Sequence, residues 1–341
     1  MENLPGEKKP EDPMKYLRPS GKLQTISIHA ETLAEGFHKA VVACYEQGYR
    51  IETPKYKEGR SLGFDAHITT NISHPDQQPM VHKKGISDNE LGVVTYILEV
   101  THGIHNHWKK SPENPTFWNY TYNGRFRDQI PFVLAKIKND WDEKRRISGR
   151  DYFFSIYRPA EDSIPAQKDP PCLQNGQFRF IKDDKGIHHL NYLNYWRSRD
   201  EIKAWNENDI GQVRLQELFA KKVSNMLGIE VKIGAYIDTS ASLHIYGEYL
   251  DEGYYTYIET MRRGRVSDFA MSLEDFLGDD EKKFKRLIAA QMDAEIKGQG
   301  MKRDANTLKE LGYDLDNFPY PKDWDTWPKE WDIELDPENL K

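Results

Sequence analysis

Apolar residues recur along this chain at two spacings, and the switch between them lays out its elements. Residues 25–28 alternate (Thr25, Ile26, Ser27, Ile28), the period of a half-buried strand. Over 31–47 the period lengthens. Leu33, Phe37, Ala40, Val41 and Cys44 fall on one helical face, and Gly48 is the stop signal. The segment 55–75, with Lys57, Arg60 and His67 among Gly and Ser, reads as a loop running into a strand. Helical stripes return over 88–107 (Leu91, Val94, Ile97, Leu98) and over 128–141 (Ile130, Val133, Leu134, Ile137). Between them the aromatic run 118–123 reads as a strand or loop, and 152–157 as an aromatic strand.

The second half follows the same logic. Asp169, Pro170, Pro171 and Cys172 form a turn at the mouth of the strand 177–181. Gly186 marks a hairpin, and 190–196 is the return strand. A helix is expected over 210–227, with Asn208 and Asp209 as candidate caps. Alternating strands are expected over 230–237 and 242–249, and a further helix over 273–294. From Tyr313, Trp324, Trp327 and Trp331 stand among Pro, Asp and Lys and predict an extended arm packed onto the body. No internal repeat or linker interrupts the pattern. The expectation is a loose tail (1–22), one α/β (α+β) domain (23–312) with a twisted mixed sheet of about five or six strands flanked by helices, and the arm (313–341).

Composition narrows the class. The 341 residues are 38% hydrophobic and 12% aromatic, enough for a packed core. A net charge of −7 argues against a general nucleic-acid binder, so DNA is not an expected partner, although a few local arginines can still hold a phosphate. Two cysteines cannot make a disulfide framework. With neither a signal peptide nor an apolar run of membrane-spanning length, the expectation is a soluble, cytoplasmic protein that engages no membrane.

Candidate chemistry centres on Cys172. A thiol on a rigid Pro-Pro turn, with Arg197 delivered by the next strand, suits a nucleophile, because the thiolate is the reactive form and a fixed cation favours it. Taken alone, a free cysteine is more often inert core, and Cys44 on its helical stripe is read that way. Glu99 borders an apolar stripe, where a carboxylate is either paired or functional. His102, His105 and His107 lack a cysteine or acidic partner at suitable spacing, so no metal site is expected. Arg60, isolated in its loop, is either an exposed charge or a phosphate ligand. Lys144, Arg145, Arg146 and Arg150 read as a solvated helix end. His244 and Tyr246 share a strand face and either read a sugar hydroxyl or fill a half-buried surface.

Read together, these pieces resemble the thymidylate synthase family, including the pyrimidine nucleotide hydroxymethylases. The resemblance runs from about Asp128 to about Asp251, with weaker echoes back to Ile26. Asp128-Gln129-Ile130 is similar to the family's helix start, Pro171-Cys172 with Gln177-Phe178 to its nucleophile turn and strand, and Arg197-Ser198-Arg199-Asp200 to its arginine-serine-x-aspartate signature. Asn208 has the spacing of the base-reading asparagine, and His244-Ile245-Tyr246 matches the histidine-x-tyrosine that holds the sugar. Leu173 and Trp196 replace the histidine and glutamine of bacterial synthases, as in the divergent, archaeal-like branch and some hydroxymethylases. Ser242-Leu243 replaces the usual Asp-Ala/Thr.

The resemblance implies a mechanism. Cys172 adds to C6 of a pyrimidine nucleoside monophosphate, and C5 takes a one-carbon unit from 5,10-methylenetetrahydrofolate, giving a methyl or hydroxymethyl product. It implies that Arg197 and Ser198 hold the phosphate, Asn208 the base, and His244 with Tyr246 the sugar. Asp200 and Trp108 fall to the folate side, and Tyr122 and Glu99 to proton handling. It also implies an obligate homodimer built on one sheet face, with Arg145, Arg146 or Arg150 lent to the neighbour's phosphate site and Arg60 in a phosphate loop. An asparagine at position 208 favours uracil, hence dUMP, while the neighbouring Asp209 keeps dCMP or CMP open. The alternatives are a non-catalytic nucleotide- or RNA-binding relative and an unrelated redox or metal protein.

Overall fold

The computed structural model describes residues 21–54, 60–86, 89–110, 118–167 and 169–332, without the side chains of residues 53, 54, 60, 251, 252 and 330. The expected tail over 1–22, except its last two residues, and Lys57 lie outside the described residues. The centre is an eight-stranded mixed sheet. Its continuous path runs β1 (Thr25–Ala30), β3 (Arg60–Ile72), β9 (Val231–Ile245), β7 (His188–Trp196), β6 (Leu173–Lys182) and β5 (Phe153–Ser155). Two further strands join it, β2 (Tyr49–Pro54) on β3 and β8 (Arg199–Asp200) on β9. β9 is parallel to β7 and β8 and antiparallel to β3, so the ends of β7 and β8 reach the same end of the sheet as the end of β9. The site is built there.

Helices cover one face. α1 (Leu33–Gln47) buries Leu33, Phe37, Ala40, Val41 and Cys44, the stripe the spacing predicts. α6 (Trp205–Leu227) buries Val213, Phe219 and Val223, and Phe219 stacks on Phe178 of β6 with centroids 3.9 Å apart. The other face carries Ile181, exposed Tyr195, and the half-buried Leu193, Ile237 and Thr239. No helix among the described residues is long and apolar enough to cross a membrane.

Several boundaries differ from the sequence reading. α2 (Glu90–His102) is shorter than 88–107. Asn89 caps it by accepting from the Gly92 amide, and Gly103 ends it with φ 60°, a left-handed turn that favours glycine. Tyr122 begins a helical turn, α3 (Tyr122–Phe126), capped by Thr121, instead of a strand. α4 (Ile130–Lys144) carries the predicted stripe. α6 starts at Trp205, whose fully buried indole draws the first turn into the core, so Asn208 and Asp209 lie inside the helix and do not cap it. The strands expected over 230–237 and 242–249 are one, β9, which ends just before Tyr246. The helix expected over 273–294 breaks at Gly278 (φ 57°) into Leu273–Leu277 and Glu281–Ile296. The Trp-rich arm forms two short 3-10 turns and packs on the body, with Trp324 and Trp331 buried and Trp331 edge-on to Phe126.

Candidate active site

The turn before β6 is clamped by the residue after β7. The Arg197 amide donates to the Cys172 carbonyl (2.9 Å). Its guanidinium donates through Nε to Pro171 O (3.0 Å) and through Nη2 to Pro170 O (2.6 Å). The Pro171 carbonyl also accepts from the Gln174 side-chain amide (2.6 Å), so the Pro-Pro pair stiffens a turn that Arg197 and Gln174 both brace. The thiol opens into a cavity of about 390 Å³.

Around the thiol, the cavity gathers residues from five further parts of the chain. Glu99 comes from α2, with His105 and Asn106 from the turn after it. Thr121 and Tyr122 open α3. Trp196, Ser198, Arg199 and Asp200 follow β7, Asn208 lies in the first turn of α6, and His244 and Tyr246 close β9. Of the residues singled out in the sequence, Cys172, Glu99, Tyr122, Ser198, Asp200, Asn208, His244 and Tyr246 are therefore brought together. Arg197 stands behind the nucleophile turn. Trp108 is buried behind His105 and does not line the cavity, whereas Trp118 does. Arg145, at the end of α4 with its guanidinium over Trp141, is not in the wall, and neither are Arg146 and Arg150. The side chain of Arg60 lies outside the described residues.

Burial pushes the Cys172 thiol above its ordinary value, and Asp169 adds to this, while Arg197 and Arg199 pull the other way. Burial also pushes the Tyr122 hydroxyl well up, with Tyr120 and Cys172 contributing. A cysteine with a raised value is largely neutral near neutrality, so its alkylation by iodoacetamide should rise with pH through the alkaline range. Replacing Arg197 by glutamine should move that profile further up. Stopped-flow alkylation against pH is the check, and Cys44, fully buried, does not compete.

His244 is oriented through the neighbouring strand. Asp65 of β3 lies opposite His244 in the β3–β9 register, and the Ser242 hydroxyl donates to Asp65 Oδ2 (2.6 Å) while standing 3.4 Å from His244 Nδ1. The sequence shows only that Ser242 stands where a carboxylate was expected. The carboxylate arrives instead from residue 65, which register alone reveals. Asp65→Asn should cost about 1.5–3 kcal/mol of stability, the worth of one charge-assisted hydrogen bond from the Ser242 hydroxyl, measured by urea unfolding.

Asp200 is committed to structure. Its Oδ1 accepts from the Ile202 and Lys203 amides (2.9 and 3.0 Å) and its Oδ2 from the Tyr249 hydroxyl (2.6 Å). Arg199, which sequence reasoning passed over, is 3% exposed and donates to Asp209 Oδ1 (2.7 Å) and to Asp238, with its guanidinium 4.3 Å from the Trp196 ring centroid. Asn208, in contrast, has no side-chain hydrogen bond among the described residues and lines the cavity. His105, Asn106, Thr121 and Trp118 were also missed as site residues. Trp118, 54% exposed on the rim and edge-on to Trp108, offers a flat aromatic surface beside polar groups, a fit for a planar heteroaromatic ring such as a pterin.

A thiol on a clamped turn thus shares one cavity with an amide that has no side-chain hydrogen bond among the described residues and with a histidine–tyrosine pair. The chain is 24% identical to a Methanocaldococcus jannaschii protein described as "Putative thymidylate synthase", over 225 residues that make 65% of this chain and 90% of the other. The resemblance to a divergent thymidylate synthase-like family is thereby borne out. Among solved structures, thermostable thymidylate synthase A from Bacillus subtilis matches with a TM-score of 0.48 and 14% identity, covering 69% of this chain and 85% of that one. No family model matches the chain.

Proposed function

We propose that this chain transfers a one-carbon unit from a reduced folate to C5 of a pyrimidine nucleoside 5'-monophosphate, with Cys172 as the nucleophile. The observation that carries the reading is the convergence of Cys172, Ser198, Asn208, His244 and Tyr246 on one cavity. Cys172 adds as thiolate to C6, which places electron density at C5 for attack on the one-carbon unit. Arg197 steadies the thiolate through the turn it clamps, and Ser198, in the cavity wall, meets the phosphate. Asn208 presents one donor and one acceptor to the base edge. His244 and Tyr246 hold the sugar.

5,10-Methylenetetrahydrofolate supplies the carbon when bound, beside Trp118. Uracil is the favoured base, because Asp209, the acidic group that would suit cytosine, is fully buried against Arg199 and the Tyr236 hydroxyl (2.9 Å) and lies outside the cavity wall. The product is 5-methyl or 5-hydroxymethyl dUMP. The half-apolar sheet face that no helix covers among the described residues supports a homodimer. Two free thiols suit a reducing compartment, and we place the protein in the cytoplasm.

The test is release of tritium from C5-labelled dUMP, dCMP and CMP with methylenetetrahydrofolate. Release from dUMP foremost is expected. No release from any of the three would overturn the reading, and tight binding without release would favour a non-catalytic relative.

A further inference from the structure

We infer that His105 is the base that removes the C5 proton, paired with Glu99 and held in place by Glu295. This deepens the proposed function and rests on it.

His105 is 8% exposed and shares the cavity wall with Cys172 and Glu99. Its Nδ1 is hydrogen-bonded to Glu99 Oε1. An ionised carboxylate only accepts, so Nδ1 carries the hydrogen and the neutral ring keeps its lone pair on Nε2. No other hydrogen bond reaches the His105 ring among the described residues, which leaves Nε2 available to the cavity. A histidine so paired is a general base whose tautomer and charge are managed by the carboxylate behind it.

The ring is also fixed in plane. His105 stacks on Trp108 with centroids 3.5 Å apart and planes 8° apart. The Trp108 indole N–H donates to Glu295 Oε2 (2.8 Å), an oxygen that His107 Nε2 also meets at 2.9 Å. Glu295 Oε1 accepts from the Lys302 amide (2.8 Å). Glu295 lies on the helix Glu281–Ile296, far along the chain from the nucleophile, so this helix sets the plate on which His105 rests. Glu295 touches no reacting atom and acts as a positioning residue.

Tyr122 is the other candidate for this proton. Its hydroxyl is a weaker base as a neutral phenol, and burial opposes the phenolate. Once C5 has bonded to the one-carbon unit, the C5–H bond breaks and its proton passes to His105 Nε2. The electron pair of that bond becomes the second bond between C5 and the exocyclic carbon. The folate nitrogen, which has taken a proton from solvent, leaves as the neutral amine with the electron pair of the broken carbon–nitrogen bond.

A 5-fluoro nucleotide separates this step from those before it, since fluorine cannot leave as a cation and the reaction stops with Cys172 bound to C6. His105→Gln should bind nucleotide alone, by calorimetry, within about twofold of wild type. With the 5-fluoro analogue and methylenetetrahydrofolate it should form the covalent adduct seen by intact-mass spectrometry, yet release tritium from C5 about 10²–10⁴-fold more slowly. Release within about fivefold of wild type would overturn the assignment, as would loss of the adduct with nucleotide binding intact. Glu295→Ala should slow release about tenfold with KM unchanged, and Glu295→Gln, which keeps an acceptor for the Trp108 indole, should restore it. An unchanged kcat in Glu295→Ala would overturn the positioning role. Wild type that forms no adduct would sink the proposed function itself, which keeps the two failures apart.

Discussion

With Cys172 replaced by alanine, tritium release from C5-labelled dUMP is expected to fall by about 10⁴-fold or more, since loss of a covalent nucleophile removes the pathway and does not merely slow it. Nucleotide affinity should change by no more than about twofold, because Arg197 is held by the carbonyls of Pro170 and Pro171 and keeps its place without the sulfur. The combination separates chemistry from binding. A variant that loses both has lost the turn, and circular dichroism with a thermal melt would reveal it. A variant that retains release would show that Cys172 is one more small residue at the start of β6.

The largest effect on stability is expected at Arg199. Its guanidinium is buried between Asp209 and Asp238, one positive charge for two carboxylates. Arg199→Met leaves both carboxylates in the core without a counter-charge, a change that costs about 3–5 kcal/mol for a buried pair. Burial already pushes Asp209 and Asp238 above the range of the unfolded chain, with Arg199 opposing, and burial pushes Glu201 in the same direction. Groups with raised folded values hold their protons more tightly when folded. They add stability as pH falls toward ~4 and withdraw it as pH rises through the raised value. Removing Arg199 lifts these groups further, so the deficit should be larger at pH ~8 than at pH ~5. Urea unfolding at the two pH values is the check. A deficit that stays constant with pH would mean that lost packing on Trp196, not the lost charge, is the cause.

What could be read from the sequence was local. The Pro-Pro-Cys turn, the Arg197-Ser198 pair and the His244–Tyr246 pair each occupy a few consecutive residues, and the spacing between them is preserved in space because β6, β7 and β9 are neighbours in one sheet. The apolar stripes of α1 and α4 were legible for the same reason, since a helix face repeats over few residues. The partners that tune the site were not. Asp65 meets Ser242 only through the β3–β9 register, which a bulge between Ala66 and Ile68 shifts on the way. Arg199 finds Asp238 from a different strand and Asp209 from α6. His105 looked like part of a histidine cluster, and its pairing with Glu99 depends on the sharp turn that Gly103 makes at the end of α2. Glu295 reaches it across the whole chain. Such contacts are set by long-range packing, and no short-period pattern announces them.

The proposed covalent one-carbon transfer to C5 can be read by mass spectrometry of the nucleotide after incubation with methylenetetrahydrofolate. dUMP should become heavier by a methyl or a hydroxymethyl group on its base, and Cys172→Ala should leave it unchanged. Recovery of dUMP, dCMP and CMP all unmodified from the wild-type protein would contradict the proposed transfer.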